Sequence, residues 1–318
     1  MSNFWQSLKK PVMALAPMAN VTDAAFRSVI AKYGKPDVMW TEFVSADGLV
    51  LAPEEGRKKL LKDLEYSEAE RPIVAQFFTS NPEHMKKAAE LARKLGFDGV
   101  DINMGCPDRT IEKQGAGAKL MKDAKLARVL IKAAKEGAGD LPVSLKARTG
   151  YNKPELDKWL PEILKEEPAV VTIHARTRKE MSKVPARWDL VKEAVKIRDE
   201  AGVDTLIFGN GDVVDIDDAK KKCEETGCDG VMIGRGIFGN PWLFSKHLPT
   251  TEEKLKVLVE HTKLFEKLLG SVKSFAIMKK HFKAYVNGFD GAADLRARLM
   301  EQDGGEEVEK IISEFLGE

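Results

Sequence analysis

The sequence predicts an α/β protein, a (β/α)8 TIM barrel followed by a small C-terminal helical bundle. Eight short β-rich runs recur along the chain, and each is followed by a stretch with helical spacing. The runs are apolar nearly throughout, without the alternation of a half-buried strand. Both of their faces are therefore buried, as in parallel sheets wrapped by helices. The eight units occupy roughly residues 12–245, close to the ~250 residues such a barrel needs. An open doubly wound sheet is the runner-up, weakened because the glycines after the first strand form no dinucleotide-binding turn.

In chain order, strands are expected at residues 12–16, 38–44, 72–77, 99–103, 142–147, 170–174, 205–209 and 230–234. Between them, 82–95, 124–134 and 188–201 carry apolar residues three and four apart. Gly96 and Gly202 stand where helices stop. After residue 250 the strands cease. Leu255, Leu258, Val259, Thr262, Phe265 and Leu269 keep helical spacing, as do Phe275, Met278, Phe282 and Tyr285, and two shorter helical stretches follow. Pro241 and Pro249 separate this bundle from the barrel, so the expected division is a catalytic barrel over 1–249 and a helical domain over 250–318.

Composition excludes several classes. The chain has 318 residues, 43% hydrophobic and 32% charged, a soluble globular balance. No apolar run approaches the ~20 residues of a membrane helix, and the N-terminal stretch Met1–Gln6 lacks a signal peptide's basic and apolar regions. A cytoplasmic location is expected, with no membrane partner. The three cysteines, Cys106, Cys223 and Cys228, lack metal-ligand spacing, so neither a metal nor a disulfide is expected. The net charge of +1 hides an uneven distribution: residues 263–289 carry six lysines against one glutamate, and 301–318 carry seven acidic residues against one lysine. The basic stretch can face phosphates.

The most reactive candidate is Cys106, in Asp101-Ile102-Asn103-Met104-Gly105-Cys106-Pro107. Gly105 permits unusual backbone angles and Pro107 fixes the exit, so the thiol leaves the core on a tight turn. A free thiol titrates near ~8.5 and can donate a proton at neutral pH. A small buried apolar side chain is the alternative. Active sites of such barrels lie at the C-terminal strand ends. There the sequence places Pro17, Met18, Thr41, Glu42, Gln76, Asn103, Cys106, Lys146, Arg148, His174, Arg176, Asn210, Gly234 and Arg235. Gly209-Asn210-Gly211-Asp212 and Gly234-Arg235-Gly236 follow strands seven and eight, the usual phosphate seat of this fold. Lys146, His174 and Gln76 together offer three donors, which suits an electron-rich flavin ring better than a carbonyl substrate. A plain ion pair between Lys146 and Glu42 is the alternative for that lysine.

These motifs, in this order, resemble the tRNA dihydrouridine synthase family over almost the whole chain. The resemblance runs from Leu15-Ala16-Pro17-Met18 through Gly105-Cys106-Pro107, Lys146-Ala147-Arg148-Thr149-Gly150, His174-Ala175-Arg176-Thr177-Arg178 and the two glycine turns, to His281 and Gly291-Ala292-Ala293-Asp294-Leu295-Arg296. It implies an FMN-bound barrel, NADPH as reductant, and a helical domain that grips tRNA. Pro17, Met18, Gln76, Lys146, His174, Asn210, Gly211, Gly234 and Arg235 would hold FMN, and Asn103, Cys106 and Arg178 would meet the uridine. Hydride would pass from flavin N5 to uridine C6 and a proton from Cys106 to C5, with Lys146 stabilising charge on the flavin. Lys279, Lys280, His281 and Lys283 would follow the phosphate backbone. One site per chain needs no partner subunit, so a monomer is expected.

The chain departs from the family pattern at Asn20, Thr79 and Ala175, where glycine is usual, and at Met181-Ser182-Lys183-Val184, where a Tyr and a Gly are usual. Three rival readings stand beside the resemblance. A flavin barrel acting on a small dihydropyrimidine would use Cys106 as a base. An RNA-binding protein on a silent scaffold would have lost its flavin donors, yet Gln76, Lys146 and His174 are present. A Schiff-base aldolase using Lys146 would leave Cys106 and the phosphate turns only partly explained.

Overall fold

A computed structural model describes residues 3–318; Met1 and Ser2 of the N-terminal stretch lie outside it. Eight strands form the barrel: β1 (Val12–Leu15), β2 (Met39–Ser45), β3 (Ile73–Phe78), β4 (Gly99–Met104), β5 (Val143–Arg148), β6 (Val170–His174), β7 (Leu206–Asn210) and β8 (Gly230–Ile233). Neighbours pair in parallel in the order β1-β8-β7-β6-β5-β4-β3-β2. An Ala14–Val38 bridge closes the ring beside β2, with the Leu15 amide donating to the Val38 carbonyl at 3.1 Å. The register places Asn103 beside Lys146, Arg148 beside His174, and His174 beside Asn210, so side chains far apart in sequence meet at one rim.

Observed and expected elements differ mainly at their ends. β8 stops at Ile233 because Gly234, at φ −106° and ψ −100°, turns the chain out of the extended region. The helix expected at 188–201 begins at Asp189, because Trp188 is its N-cap and its ring packs on β7 at Gly209. Two helices after β2, Ala46–Leu51 and Glu54–Lys62, are not legible in the sequence: the first is only six residues long and contains Gly48, and the second buries no residue.

Beyond the strands, helices Thr251–Leu269, Met278–Tyr285, Ala292–Met300 and Gly305–Leu316 follow one another. The first starts at a capping box formed by Thr250 and Glu253. Leu255, Leu258, Phe265, Phe282 and Leu299 form a second apolar core that includes Ala25 and Val29 of helix Ala24–Tyr33, together with Trp242. Each such side chain contributes about 1.5–3 kcal/mol when buried, so the helices are seated firmly on the barrel's flank. Gly239 makes a close approach possible. It sits at φ +70°, and a Cβ there would lie 2.0 Å from the Ala284 carbonyl oxygen.

At this junction His281 corrects the sequence reading. Expected to reach phosphate, it is wholly buried, with its ring centroid 4.9 Å from Phe26, 5.7 Å from Phe238 and 4.6 Å from His261. None of the four ring nitrogens of His261 and His281 has a hydrogen-bond partner, nor does the Tyr285 hydroxyl. Burial pushes both histidines down, His281 to about 3 with Lys280 adding to the shift, so both rings are neutral in the folded protein. An unfolded histidine takes up its proton near ~6.5, so below that pH the unfolded chain binds more protons and stability falls. The expected slope is about 1.4 kcal/mol per pH unit for each histidine, with the His281 contribution running from about 6.5 down to about 3. Urea titrations of wild type and His281→Phe between pH 7 and pH 5 check this; the two slopes should differ by the share of one histidine, with the variant the less sensitive to acid.

Candidate active site

A cavity of about 610 Å³ opens at the C-terminal rim of the barrel, within the range of small-molecule and cofactor sites. Pro17, Met18, Gln76, Asn103, Cys106, Lys146, His174, Asn210, Gly211, Gly234 and Arg235 all line it. The barrel thus gathers every residue expected to hold a cofactor, together with the thiol, on one wall system.

Its floor is a chain of fixed amides. Buried Asp101 accepts from Gln76 Nε2 at 2.6 Å and from Ser144, and Gln76 Oε1 accepts from Asn103 Nδ2 at 2.9 Å. Asn103 Oδ1 then accepts the amides of Gly105 at 3.2 Å and Cys106 at 2.9 Å. One N–H on each amide remains for a ligand. The thiol turn is held from its other side by the Ala118 amide, which donates to the Cys106 carbonyl at 2.9 Å. Gly117, at φ +61°, permits that approach, since a Cβ there would stand 2.7 Å from the Cys106 oxygen. Burial pushes the Cys106 thiol up, against the pull of Arg148 and Lys146, so it stays protonated at neutral pH.

Lys146 faces the cavity with neither an ion-pair nor a hydrogen-bond partner among the described residues. Glu42, its possible partner on sequence grounds, instead pairs with Lys273. Burial, followed by repulsion from Arg148, draws Lys146 down to about 8, with Asp101 pulling the other way. Arg148 is spent on backbone. It donates to the carbonyls of Gly105 at 2.8 Å, Met181 at 2.9 Å and Thr177 at 3.2 Å, tying the thiol turn to the loop after β6.

Arg176 and Asp212, which follow β6 and β7, order the other wall. Arg176, almost wholly buried, contacts His174 Nε2 at 3.2 Å and also binds Asp212. A guanidinium can only donate, so Nε2 accepts. Burial, reinforced by Lys146 and the neighbouring arginines, holds His174 well below its usual range, so its single proton sits on Nδ1. Asp212 also accepts from Arg235 Nη2 at 2.7 Å, joining the expected phosphate seat to the histidine.

This donor set fits a flavin. An uncompensated ammonium, a neutral imidazole and two half-free amides suit a ring that gains negative charge on reduction. Arg235 and two glycine turns suit a phosphate. At Gly234 a Cβ would meet Met18 Sδ at 3.6 Å and Ala16 Cβ at 3.7 Å, so the wall is smooth there.

The comparisons agree with the motifs. The family model described as dihydrouridine synthase matches residues 14–316. The chain is 41% identical to "Probable tRNA-dihydrouridine synthase 2" of Bacillus subtilis (strain 168), over 98% of this chain and 96% of that one. It is 40% identical to "Probable tRNA-dihydrouridine synthase" of Staphylococcus aureus (strain COL), over 98% and 95%. The chain belongs to the dihydrouridine synthase family. Among solved structures, morphinone reductase in complex with tetrahydroNAD is similar at 14% identity and TM-score 0.52, covering 74% of this chain and 86% of that one. Histamine dehydrogenase from Rhizobium sp. 4-9 is similar at 13% and 0.54, covering 79% and 48%. These two likenesses concern the fold.

In this dihydrouridine synthase family member, the residues expected to meet nucleic acid are dispersed. Arg178 lies outside the cavity lining, held by Glu112 through its Nε at 2.8 Å and packed 5.2 Å from the Tyr151 ring centroid. Lys279 pairs with Asp303 at 3.0 Å, Lys280 donates to the Asn20 carbonyl at 2.7 Å, and Lys283 is exposed. Glu112 and Lys273 carried no signal in the sequence beyond their charge, because each acquires its partner only through the fold, and Asp212 stood in a glycine turn with no partner assigned. Among the described residues no cluster of three His, Cys, Asp or Glu side chains could hold a metal ion, and no helix is long and apolar enough to cross a membrane.

Proposed function

We propose that the protein reduces specific uridines of tRNA to 5,6-dihydrouridine, with FMN as cofactor and NADPH as reductant. The observation that carries this reading is the protonated Cys106 thiol sharing one cavity with an unpaired Lys146, in a chain of this family. Pro17, Met18, Gln76, His174 and Asn210 would hold the ring with Lys146. Gly211, Gly234 and Arg235 would take the phosphate.

The uracil must leave its stack to reach the cavity, as for other enzymes acting on a base. Asn103 and Arg178 then orient it; Arg178 does so by exchanging Glu112 for the substrate. When bound, the flavin supplies hydride from N5 to uracil C6. Cys106 delivers its proton to C5, completing addition of two hydrogens across the double bond, and the thiolate regains a proton from solvent. Lys146 holds positive charge beside the ring, and His174 presents its Nδ1–H.

Residues 1–249 act as the catalytic unit and 250–318 as the tRNA grip, in a cytoplasmic monomer. Lys279 and Lys283 contact phosphate, with Lys280 at the edge of the same track. Lys279→Gln with Lys283→Gln should weaken tRNA binding, lower the slope of log affinity against log salt by about 2, and leave FMN affinity unchanged. Titrations at several salt concentrations check this. The reading itself is tested by incubating the protein with NADPH and tRNA lacking dihydrouridine, then analysing the nucleosides by mass spectrometry. A gain of two hydrogens on uridine supports it, and unmodified uridine with bound, reducible flavin would point to a small-molecule reductase.

A further inference from the structure

The lysine-rich stretch of the helical segment does more than face outward. Lys280 reaches back across the junction to the loop that follows β1, which carries Pro17 and Met18 on the cavity wall, and Lys273 reaches Glu42 of β2, which binds the same loop. That loop is a tight turn: the amides of Val21 and Thr22 donate to the Met18 carbonyl at 3.1 and 3.0 Å, and the Met18 amide donates to Thr22 Oγ1 at 2.9 Å. Asn20 stands at its apex with φ +54°, a left-handed conformation that few side chains adopt. Both of its backbone groups are held. Its amide donates to Glu42 Oε1, and its carbonyl accepts from Lys280 Nζ at 2.7 Å.

Glu42 is itself secured from the helical segment. Its other oxygen binds Lys273, which also pairs with Asp63 at 2.7 Å. Glu42 and Lys273 are nearly out of solvent, with side chains 5% and 12% exposed. A buried, doubly paired lysine is costly to assemble and rigid once assembled. Its ion pairs join β2, the end of helix Glu54–Lys62 and the helical segment.

We propose that Lys273, through Glu42, and Lys280, directly, are positioning residues that clamp the β1 loop, so that seating of the helical segment sets how firmly Pro17 and Met18 hold a flavin. The proposal rests on the FMN reading for its consequence, while the clamp itself is a property of the protein alone. A ligand that shifts the helical segment, such as tRNA, would thereby act on the flavin wall.

The test uses the full chain with three variants. Lys280→Met removes one contact and leaves no buried charge unpaired, whereas Lys273→Met strands Glu42 and Asp63, and Lys273→Arg retains the ion pairs. Hydrogen exchange of the Asn20 amide, followed by NMR, should quicken about tenfold or more in both methionine variants and return toward wild type with arginine. FMN affinity from flavin fluorescence should fall about tenfold in the methionine variants, with far-UV circular dichroism unchanged. Lys263→Met, which loses only a pair with Glu309 inside the helical segment, should change neither readout. Unaltered exchange at Asn20 in Lys280→Met and in a folded Lys273→Met would overturn the clamp. Faster exchange with unaltered FMN affinity would overturn its link to the flavin wall. A wild-type protein that binds no FMN would instead refute the cofactor reading, and exchange alone would then decide the clamp.

Discussion

Cys106→Ala is expected to retain its fold and FMN, and to reduce tRNA more slowly by ~10² or more, the usual contribution of a positioned acid. The fold should survive because the turn is built from backbone: Asn103 holds the Gly105 and Cys106 amides, and Ala118 holds the Cys106 carbonyl. Only Sγ is lost. NADPH-dependent reduction of the flavin should be unaffected, since that half-reaction needs no proton at uracil C5. The pH dependence follows with a definite sign. Burial raises the thiol above its ordinary value, so the proton donor persists through neutral pH and is lost only as pH climbs past that raised value. In single-turnover reduction of tRNA followed as pH is raised from 6, the wild-type advantage over Cys106→Ala should therefore persist through neutral pH and shrink only above the ordinary thiol range. Turnover near wild type in Cys106→Ala would remove the thiol from its role.

Lys146→Met is expected to lower the rate of tRNA reduction by about 10²–10³, the scale set by removing a preorganised charge next to developing negative charge. It should also weaken FMN binding. Lys146 has no carboxylate partner, so its charge is available to a ligand, and burial draws it down to about 8 in the flavin-free protein. Its charge is therefore present below that pH and lost above it. Wild-type FMN affinity should decline as pH rises through and above about 8, and in the variant this component of the dependence should vanish. Fluorescence titrations of both proteins between pH 6.5 and pH 9.5 check this. A variant with wild-type affinity and an unchanged pH profile would return Lys146 to a packing role.

Much of this arrangement was legible in the sequence because its determinants are local. β6 falls on residues 170–174 as expected, since the apolar run Val170–Ile173 is bounded by Pro168 and by the polar His174-Ala175-Arg176. The site residues were equally accessible, because in a parallel barrel whatever follows each strand converges on one rim. What escaped detection depends on contacts between distant segments. His281 sits among lysines and was read as solvent-facing, yet it shares a helix face with Met278, Phe282 and Tyr285, a three- and four-residue spacing that marks it as core. The partners of Lys280, expected on phosphate, and of Lys273, one lysine of the basic stretch, are not legible in the sequence because the Asn20 carbonyl and Glu42 lie more than two hundred residues earlier. The role of Arg176 in fixing the His174 tautomer likewise emerges only from their 3.2 Å approach.

Whether this cavity passes reducing equivalents to a uridine within tRNA is tested most directly by an anaerobic experiment. The protein is loaded with FMN, reduced with a stoichiometric amount of NADPH, and mixed with tRNA lacking dihydrouridine while the flavin absorbance is followed. Return of the oxidised flavin spectrum with that tRNA, and not with free uridine or with tRNA already modified, is the predicted result. A reduced flavin indifferent to tRNA would contradict it.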